Sequence, residues 1–230
     1  MMTSDTNHNL PEIDRRVPEE LQTATFAMGC FWSPDAEFGA MRGVWRTRVG
    51  YTGGSTDAPE YHNLADHTEA VQIDFDPAVF SFDKLAELFC RRHGPRAKAH
   101  KQQYMWALWY HNDEQADAIH AARRRVVRET GAKMDMHIAA ALPFYRAEDR
   151  HQKYRLQHSP LMTYFRTMYP DFQDFVDSTA ATRINGLVSC KGDASLFKDE
   201  LADYGIPSNE ILSSLQFVSV DSANSTCGTV

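Results

Sequence analysis

The order of apolar and polar positions along the chain predicts short strands interleaved with amphipathic helices up to about residue 158, and helical or irregular structure after it. Thr23-Ala24-Thr25-Phe26-Ala27-Met28 alternates well enough to be a strand. Ser33-Pro34-Asp35-Ala36-Glu37-Phe38 then opens a helix, with Ser33 as N-cap, Pro34 at the first helical position, and Asp35 and Glu37 supplying early negative charge. Val44 to Tyr51 is strand-like and ends in the turn signal Thr52-Gly53-Gly54-Ser55. Thr56 to His67 is a polar loop, long for a simple connection and so a place to look for function. Val71 to Phe75 alternates as a half-buried strand and is stopped by Asp76-Pro77.

Phe82, Leu85, Ala86 and Phe89 recur at helical spacing behind Ser81, with Cys90 in the last turn as a packed structural thiol. Met105 to Trp109 reads as a strand. Asn112 caps a further helix, Gln115 is placed for a capping box, and Gly131 ends it. Met136 to Leu142 is the last strand signal, and Asp149 to Gln157 reads as a short helix that packs back on the core. Beyond it lie a stripe of Ala194, Phe197 and Leu201 ended by Gly205, another of Ile211, Leu212 and Leu215, and a small polar tail from Ser222. The expected fold class is α+β, a mixed sheet flanked by helices with a helical C-terminal extension. The expected divisions are a loosely ordered lead-in over residues 1–22, a body of strands and helices over 23–157, which the resemblance given below implies is the catalytic unit, and an extension over 158–230; strand pairing stays open at this level.

Composition narrows the function classes. The 230 residues are 43% hydrophobic and 24% charged, and no apolar run approaches the roughly 20 residues needed to span a bilayer. The first residues lack both a basic-then-apolar leader and the Arg-rich, acid-poor character of a transit peptide, so a cytoplasmic location and no membrane partner are expected. A net charge of −7 argues against nucleic acid as a partner, and Arg123-Arg124-Arg125 reads as a solvated helix face. Cysteines at 30, 90, 190 and 227 are scattered with no CxxC pair, which fits neither a disulfide framework nor a zinc site. No metal and no cofactor is expected.

Gly29-Cys30-Phe31-Trp32 is the stretch richest in chemistry. Cys30 falls between the first strand and the first helix, near a helix N-terminus whose unpaired N–H groups favour a thiolate. Phe31 and Trp32 supply apolar walls for a small uncharged group. A lone cysteine is also among the most readily buried residues, and the local pattern leaves a reactive and a packed Cys30 both open.

Four blocks in series resemble the peptide methionine sulfoxide reductase A family. They are Gly29-Cys30-Phe31-Trp32; Val49-Gly50-Tyr51-Thr52-Gly53-Gly54 running on to Pro59-Glu60-Tyr61; His67-Thr68-Glu69-Ala70-Val71 with Asp76-Pro77; and Gln103-Tyr104. A weaker fifth, Ala147-Glu148-Asp149-Arg150-His151-Gln152-Lys153-Tyr154, is similar to the family's later His-Gln helix, and the resemblance covers roughly residues 23 to 157. It implies thiol-dependent reduction of methionine-S-sulfoxide, free or in proteins. Cys30 would attack the sulfoxide sulfur, and Glu69 would protonate the oxygen if burial raises its pKa. Tyr61 and Tyr104 would hydrogen-bond the oxygen, while Phe31 and Trp32 would cradle the methyl group and set preference for the S epimer. A Cys30 sulfenic acid would then condense with a second cysteine, Cys227 first and Cys190 second, to a disulfide reopened by thioredoxin.

Each residue also has a plain reading: Glu69 as a solvated carboxylate at the mouth of the 71–75 strand, the tyrosines and aromatics as core, His67 as a structural hydrogen-bonding residue. Departures from the family's pattern are Ser33 after the tryptophan, a shortened 96–102 segment with Ala99 where an Asp is usual, Met105 after Tyr104, and no Gly-rich C-terminal segment with paired cysteines. They keep two other readings in play: a thiol peroxidase or cysteine hydrolase built on Cys30, His67 and Glu69, and a weakly catalytic module that binds oxidised methionine.

Overall fold

The computed structural model describes residues 10–93, 101–189 and 198–222. At its centre is a six-stranded sheet of β1 (Gln22–Met28), β2 (Val44–Thr52), β3 (Thr68–Phe75), β4 (Trp106–Tyr110), β5 (His137–Ala140) and β6 (Tyr145–Arg146), in the order β5-β4-β1-β3-β2-β6. Every neighbouring pair is antiparallel except β4 with β5, which is parallel, so the sheet is mixed and the fold class is α+β.

The period of two along β3 organises the core. Val71, Ile73 and Phe75 share one face with Phe26 and Leu108 and meet Phe82, Leu85, Ala86 and Phe89 of α3 (Phe82–Arg92), Ile119, Ala122 and Val126 of α4 (Asp113–Thr130), and Phe38. Glu69 lies two residues before Val71, on that same helix-covered face. On the opposite face Arg48 forms a two-pronged ion pair with Asp74 at 2.7 and 2.9 Å and donates to Gln72 at 2.8 Å.

Local signals account for most element ends. The Asn112 side chain accepts from Gln115 N–H at 2.8 Å, and Gly131 closes α4 with a left-handed φ of 67°. Gln115 Oε1 turns back to accept from His111 N–H at 3.0 Å, one residue before the position a capping box would use. The helix after Cys30, α2 (Trp32–Gly39), starts two residues earlier than the local sequence predicts. Ser33 is inside its first turn, and Phe31 occupies the cap position without a side-chain hydrogen bond. Likewise β3 begins at Thr68 rather than Val71, because Thr68 to Ala70 continue the pairing with Gly50 to Thr52 of β2. Glu69 is therefore inside a paired strand, not at its mouth.

The ends of the chain also differ from the expected divisions. Residues from 10 onward pack on the body: Ile13 of α1 (Glu12–Arg15) is buried, and Asp14 Oδ1 accepts from Thr179 and Ala180 N–H at 2.7 and 3.0 Å, capping α8 (Thr179–Leu187). Helix α8, which follows the short helices α5 (Tyr154–Gln157), α6 (Met162–Met168) and α7 (Phe172–Asp177), in turn crosses α2 at backbone distance. A Cβ added to Gly39 would stand 2.5 Å from Thr182 O, and one added to Gly186 would stand 2.7 Å from Ala36 O, so only glycine fits on both sides of the crossing. The 158–189 segment thus supports the helix that carries the candidate site. Beyond Gly205, α9 (Ser208–Ser222) buries Ile211 but leaves Leu212 46% exposed, so those two do not share the predicted apolar stripe.

Candidate active site

Gly29, at φ +78°, makes the turn by which β1 runs into α2 and leaves Cys30 between the two. Cys30 is a half-buried free thiol, and Trp32 N–H donates a hydrogen bond to it. Even so, burial pushes the thiol above its ordinary range, the Glu69 carboxylate adds to that, and only Trp32 N–H and the Arg155 charge oppose it. Desolvation thus outweighs one N–H donor at a short helix, and the thiol is harder to ionise than helix position alone suggests.

Glu69 is 1% exposed. Its Oε2 accepts from Phe31 N–H at 3.1 Å and its Oε1 from Gln103 Nε2 at 2.7 Å. Both donors favour the carboxylate, but burial is the larger effect and holds the carboxyl above the usual range. Tyr51 of β2 is the cross-strand partner of Glu69 and packs its ring on Phe31 at 5.9 Å. The hydroxyl of Tyr104 is pushed up to about 12, first by desolvation and then by the charge of Glu69, a hydrogen bond to Tyr61 and the charges of Tyr61 and Cys30. Cys30, Glu69, Tyr61 and Tyr104, far apart in sequence, therefore meet at one end of the β1, β2 and β3 strands.

The two aromatics after Cys30 are placed differently from each other. Phe31 is buried among Val49, Tyr51 and Ala147 and forms a floor. Trp32 stacks on Tyr154 with ring centroids 3.8 Å apart and lies 5.9 Å from the His151 ring. His151, buried and lowered in pKa first by desolvation, stands between Trp32, Phe31 and Tyr61. His67 is turned elsewhere: its Nε2 meets Thr56 O at 2.7 Å, and no hydrogen bond joins its ring to Cys30 or Glu69. A Cys–His–Glu hydrolytic arrangement is thus not formed. Cys90 is sealed in the core, with burial pushing its thiol up to about 11. Cys190, Cys227 and Ala99 lie outside the described residues.

Several contributors carry no role in the sequence reading. Gln103 holds Glu69, Glu148 accepts from Tyr51 OH at 2.7 Å and from Tyr61 N–H at 3.0 Å, and His151 packs the aromatic wall. The available signal was their place inside the fourth and fifth blocks.

Beneath α2 lies a buried polar cluster. Asp35 accepts from Thr47 Oγ1 at 2.5 Å and from Asn185 Nδ2 at 3.0 Å, and Lys153 Nζ lies 3.7 Å from it while donating to Thr47. Asp35, Lys153 and Asn185 are completely buried, so this cluster ties α2, β2, the 147–157 segment and α8 together. Among the described residues no group of three His, Cys, Asp or Glu side chains could hold a metal ion, and no helix is long and apolar enough to cross a membrane.

The family model for peptide methionine sulfoxide reductase matches residues 22–183. A peptide methionine sulfoxide reductase from Drosophila melanogaster is 40% identical over 186 residues, covering 80% of this chain and 75% of the relative. One from Salmonella arizonae is 38% identical over 152 residues, covering 60% and 72%. Among solved structures, methionine sulfoxide reductase A of Corynebacterium diphtheriae superposes with a TM-score of 0.56 at 26% identity, covering 64% of this chain and 78% of that one. Reduced Mxr1 from Saccharomyces cerevisiae, at 24% identity and a TM-score of 0.55 over 63% of this chain and 88% of that one, shares the fold. With a match that runs through the strands, α2 and α8, the chain belongs to the peptide methionine sulfoxide reductase family.

Proposed function

We propose that this protein reduces methionine-S-sulfoxide, free or in proteins, to methionine, with Cys30 as nucleophile and Glu69 as general acid. The observation that carries the assignment is that a half-buried thiol and a fully buried carboxyl share one site, where each raises the cost of ionising the other. Sulfoxide reduction needs one thiolate and one acid together, and like-charge repulsion favours that single-anion state over the doubly ionised one. Cys30 attacks the sulfoxide sulfur as Glu69 delivers its proton to the oxygen. The attack forms an S–S bond between Cys30 and the substrate; the protonated oxygen then passes from the substrate sulfur to the Cys30 sulfur as that S–S bond breaks, so the substrate sulfur gains two electrons and leaves as methionine, while Cys30 loses two and becomes the sulfenic acid that carries the oxygen. Tyr61 and Tyr104 donate hydrogen bonds to the developing charge on oxygen, and Phe31 and Trp32 line the methyl group.

The cycle then closes when a second thiol condenses with the sulfenic acid, releasing water and forming a disulfide that thioredoxin reduces. Cys227 is our first assignment for that thiol and Cys190 our second. Such a cycle suits a reducing compartment, and we assign the cytoplasm.

Turnover of each methionine sulfoxide epimer with dithiothreitol as donor tests the assignment. Wild type is expected to consume the S epimer and Cys30→Ser to consume neither; S-epimer reduction by the Cys30→Ser protein would refute it.

A further inference from the structure

Three residues of the 147–157 segment converge on Tyr61 from behind. Glu148 Oε1 accepts from the Tyr61 backbone N–H at 3.0 Å, the Arg150 guanidinium carbon lies 5.9 Å from the Tyr61 ring centroid, and the His151 ring is 4.7 Å away. The other oxygen of Glu148 accepts from Tyr51 OH at 2.7 Å, and Arg150 braces the carboxylate at 3.3 Å. Tyr51 is completely buried, packs on Phe31 and is the cross-strand partner of Glu69. One carboxylate thus bridges the loop that carries Tyr61 to the strand that faces the buried acid.

That loop needs an anchor. It runs from Thr52 to Thr68 without a strand of its own, holds left-handed φ angles at Ala58 and Ala65, and is tied elsewhere by Ser55 N–H to Asp66 and by Tyr145 OH to Asp57 at 3.0 Å. Those ties flank Tyr61 and do not touch it. The short Glu60–Asn63 bridge closes the turn around Tyr61 without using its backbone, and Glu148 supplies the polar contact that reaches Tyr61's own N–H.

We propose that Glu148 is a positioning residue for sulfoxide reduction: its carboxylate fixes Tyr61 relative to Glu69 and Cys30, so that the Tyr61 hydroxyl meets the sulfoxide oxygen as charge develops on it. The inference rests on the sulfoxide-reductase reading and on Tyr61 binding that oxygen. Glu148 touches no reacting atom and acts through Tyr61. Its chemistry suits the task. Partial burial raises the carboxyl, but its own backbone N–H, the Tyr61 N–H, the Tyr51 hydroxyl and the neighbouring His151 together hold it below the ordinary range, so the anchor stays anionic and accepts from both partners. A misplacement of about 1 Å in a group that binds the transition state can cost about a hundredfold in rate.

The test is a double-mutant cycle in the full chain, with methionine-S-sulfoxide peptide as substrate and dithiothreitol as donor. Glu148→Ala is expected to lower kcat about 30- to 100-fold with KM changed less than threefold. Tyr61→Phe is expected to be costly in the wild-type background and to cost less than threefold more in the Glu148→Ala background, since a displaced Tyr61 has little left to lose. A general structural role would instead give multiplying losses. Should Glu148→Ala not fold, Tyr51→Phe removes one hydroxyl from the bridge and Glu148→Gln removes the charge at constant volume, and both are expected to show the same coupling to Tyr61. Multiplying effects, or Glu148 variants with wild-type kcat, overturn the proposal while leaving the reductase reading in place. A wild-type protein without sulfoxide turnover overturns both.

Discussion

Replacing Glu69 by Gln removes the proposed proton donor and keeps its volume. The expected loss follows from the surroundings. Glu69 is 1% exposed, so no bulk water replaces it as a donor. Phe31 N–H and Gln103 hold its two oxygens, so the carboxyl is positioned before substrate arrives. A positioned general acid contributes roughly 10²- to 10⁴-fold. Tyr61 and Tyr104 stay in the variant and still donate to the sulfoxide oxygen, which puts the expected loss in kcat at about 10²- to 10³-fold. At about 1.4 kcal/mol per tenfold this is about 3–4 kcal/mol of barrier. The pH profile gives an independent readout. Burial raises both the Cys30 thiol and the Glu69 carboxyl, and the reactive form holds one proton between them. Wild-type kcat therefore rises as the first proton leaves and falls as the second leaves, giving a bell whose limbs belong to the pair. In Glu69→Gln the falling limb is gone, and the residual rate climbs with pH along the thiolate fraction of Cys30. Single-turnover reduction with dithiothreitol, followed from about pH 5 to 10, measures both effects. A variant within threefold of wild type, or one that keeps the bell, would refute the assignment of Glu69.

Other consequences are open to measurement. Alkylation of Cys30 by iodoacetamide in the substrate-free protein should be slow near neutral pH and accelerate at pH values above those of an ordinary thiol, because the folded pKa is raised; fast labelling below pH 7 would contradict this. Lys153→Met should cost about 1–3 kcal/mol in chemical denaturation, since it takes from the completely buried Asp35 and Thr47 the Nζ that reaches them; an unchanged stability would show that the cluster does not depend on Lys153. Gly186→Ala should destabilise by about 1–3 kcal/mol, because the new methyl meets backbone atoms of α2 at 2.7 and 2.8 Å, and an unchanged melting temperature would contradict the close crossing. Cys227→Ser should spare single-turnover reduction and stop thioredoxin-supported cycling, and failure of Cys190→Ser instead would move the resolving role to Cys190.

What the sequence displayed well was local. The helix α4 announces itself through Asn112, Gln115 and Gly131, and α3 through Phe82, Leu85, Ala86 and Phe89, because caps and the 3.6 period are properties of neighbours in the chain. The ends of α2 and β3 were displaced because tertiary pairing overrode local chemistry. Ser33 is a good cap in isolation, yet Cys30 and Phe31 are already turning, and Thr68 to Ala70 are drawn into the sheet by β2. Residues 10–16 read as polar lead-in because their one deeply buried apolar side chain, Ile13, and their capping carboxylate, Asp14, find partners some 165 residues away. No window of sequence contains both halves of such a contact.

The site divides along the same line. Blocks of residues identified Cys30, Glu69, Tyr61 and Tyr104 as a set, and the fold brings them together, but the protonation of the set is a collective property. A cysteine two residues before a helix reads as an incipient thiolate, because that inference weighs the helix N–H groups and leaves out the walls. Here the walls dominate: Phe31 under Tyr51, Trp32 on Tyr154 and Glu69 on the helix-covered face of β3 remove the water that would stabilise either anion. The consequence runs from packing to chemistry. A site that resists both charges keeps Cys30 protonated while empty, which limits its reaction with stray electrophiles. In the proposed reaction the sulfoxide relieves both: the charge of the Cys30 thiolate passes into the new bond to sulfur as Glu69 gives its proton to the oxygen, so two full anions need not coexist. The same burial that slows the resting thiol therefore ties its activation to the presence of substrate.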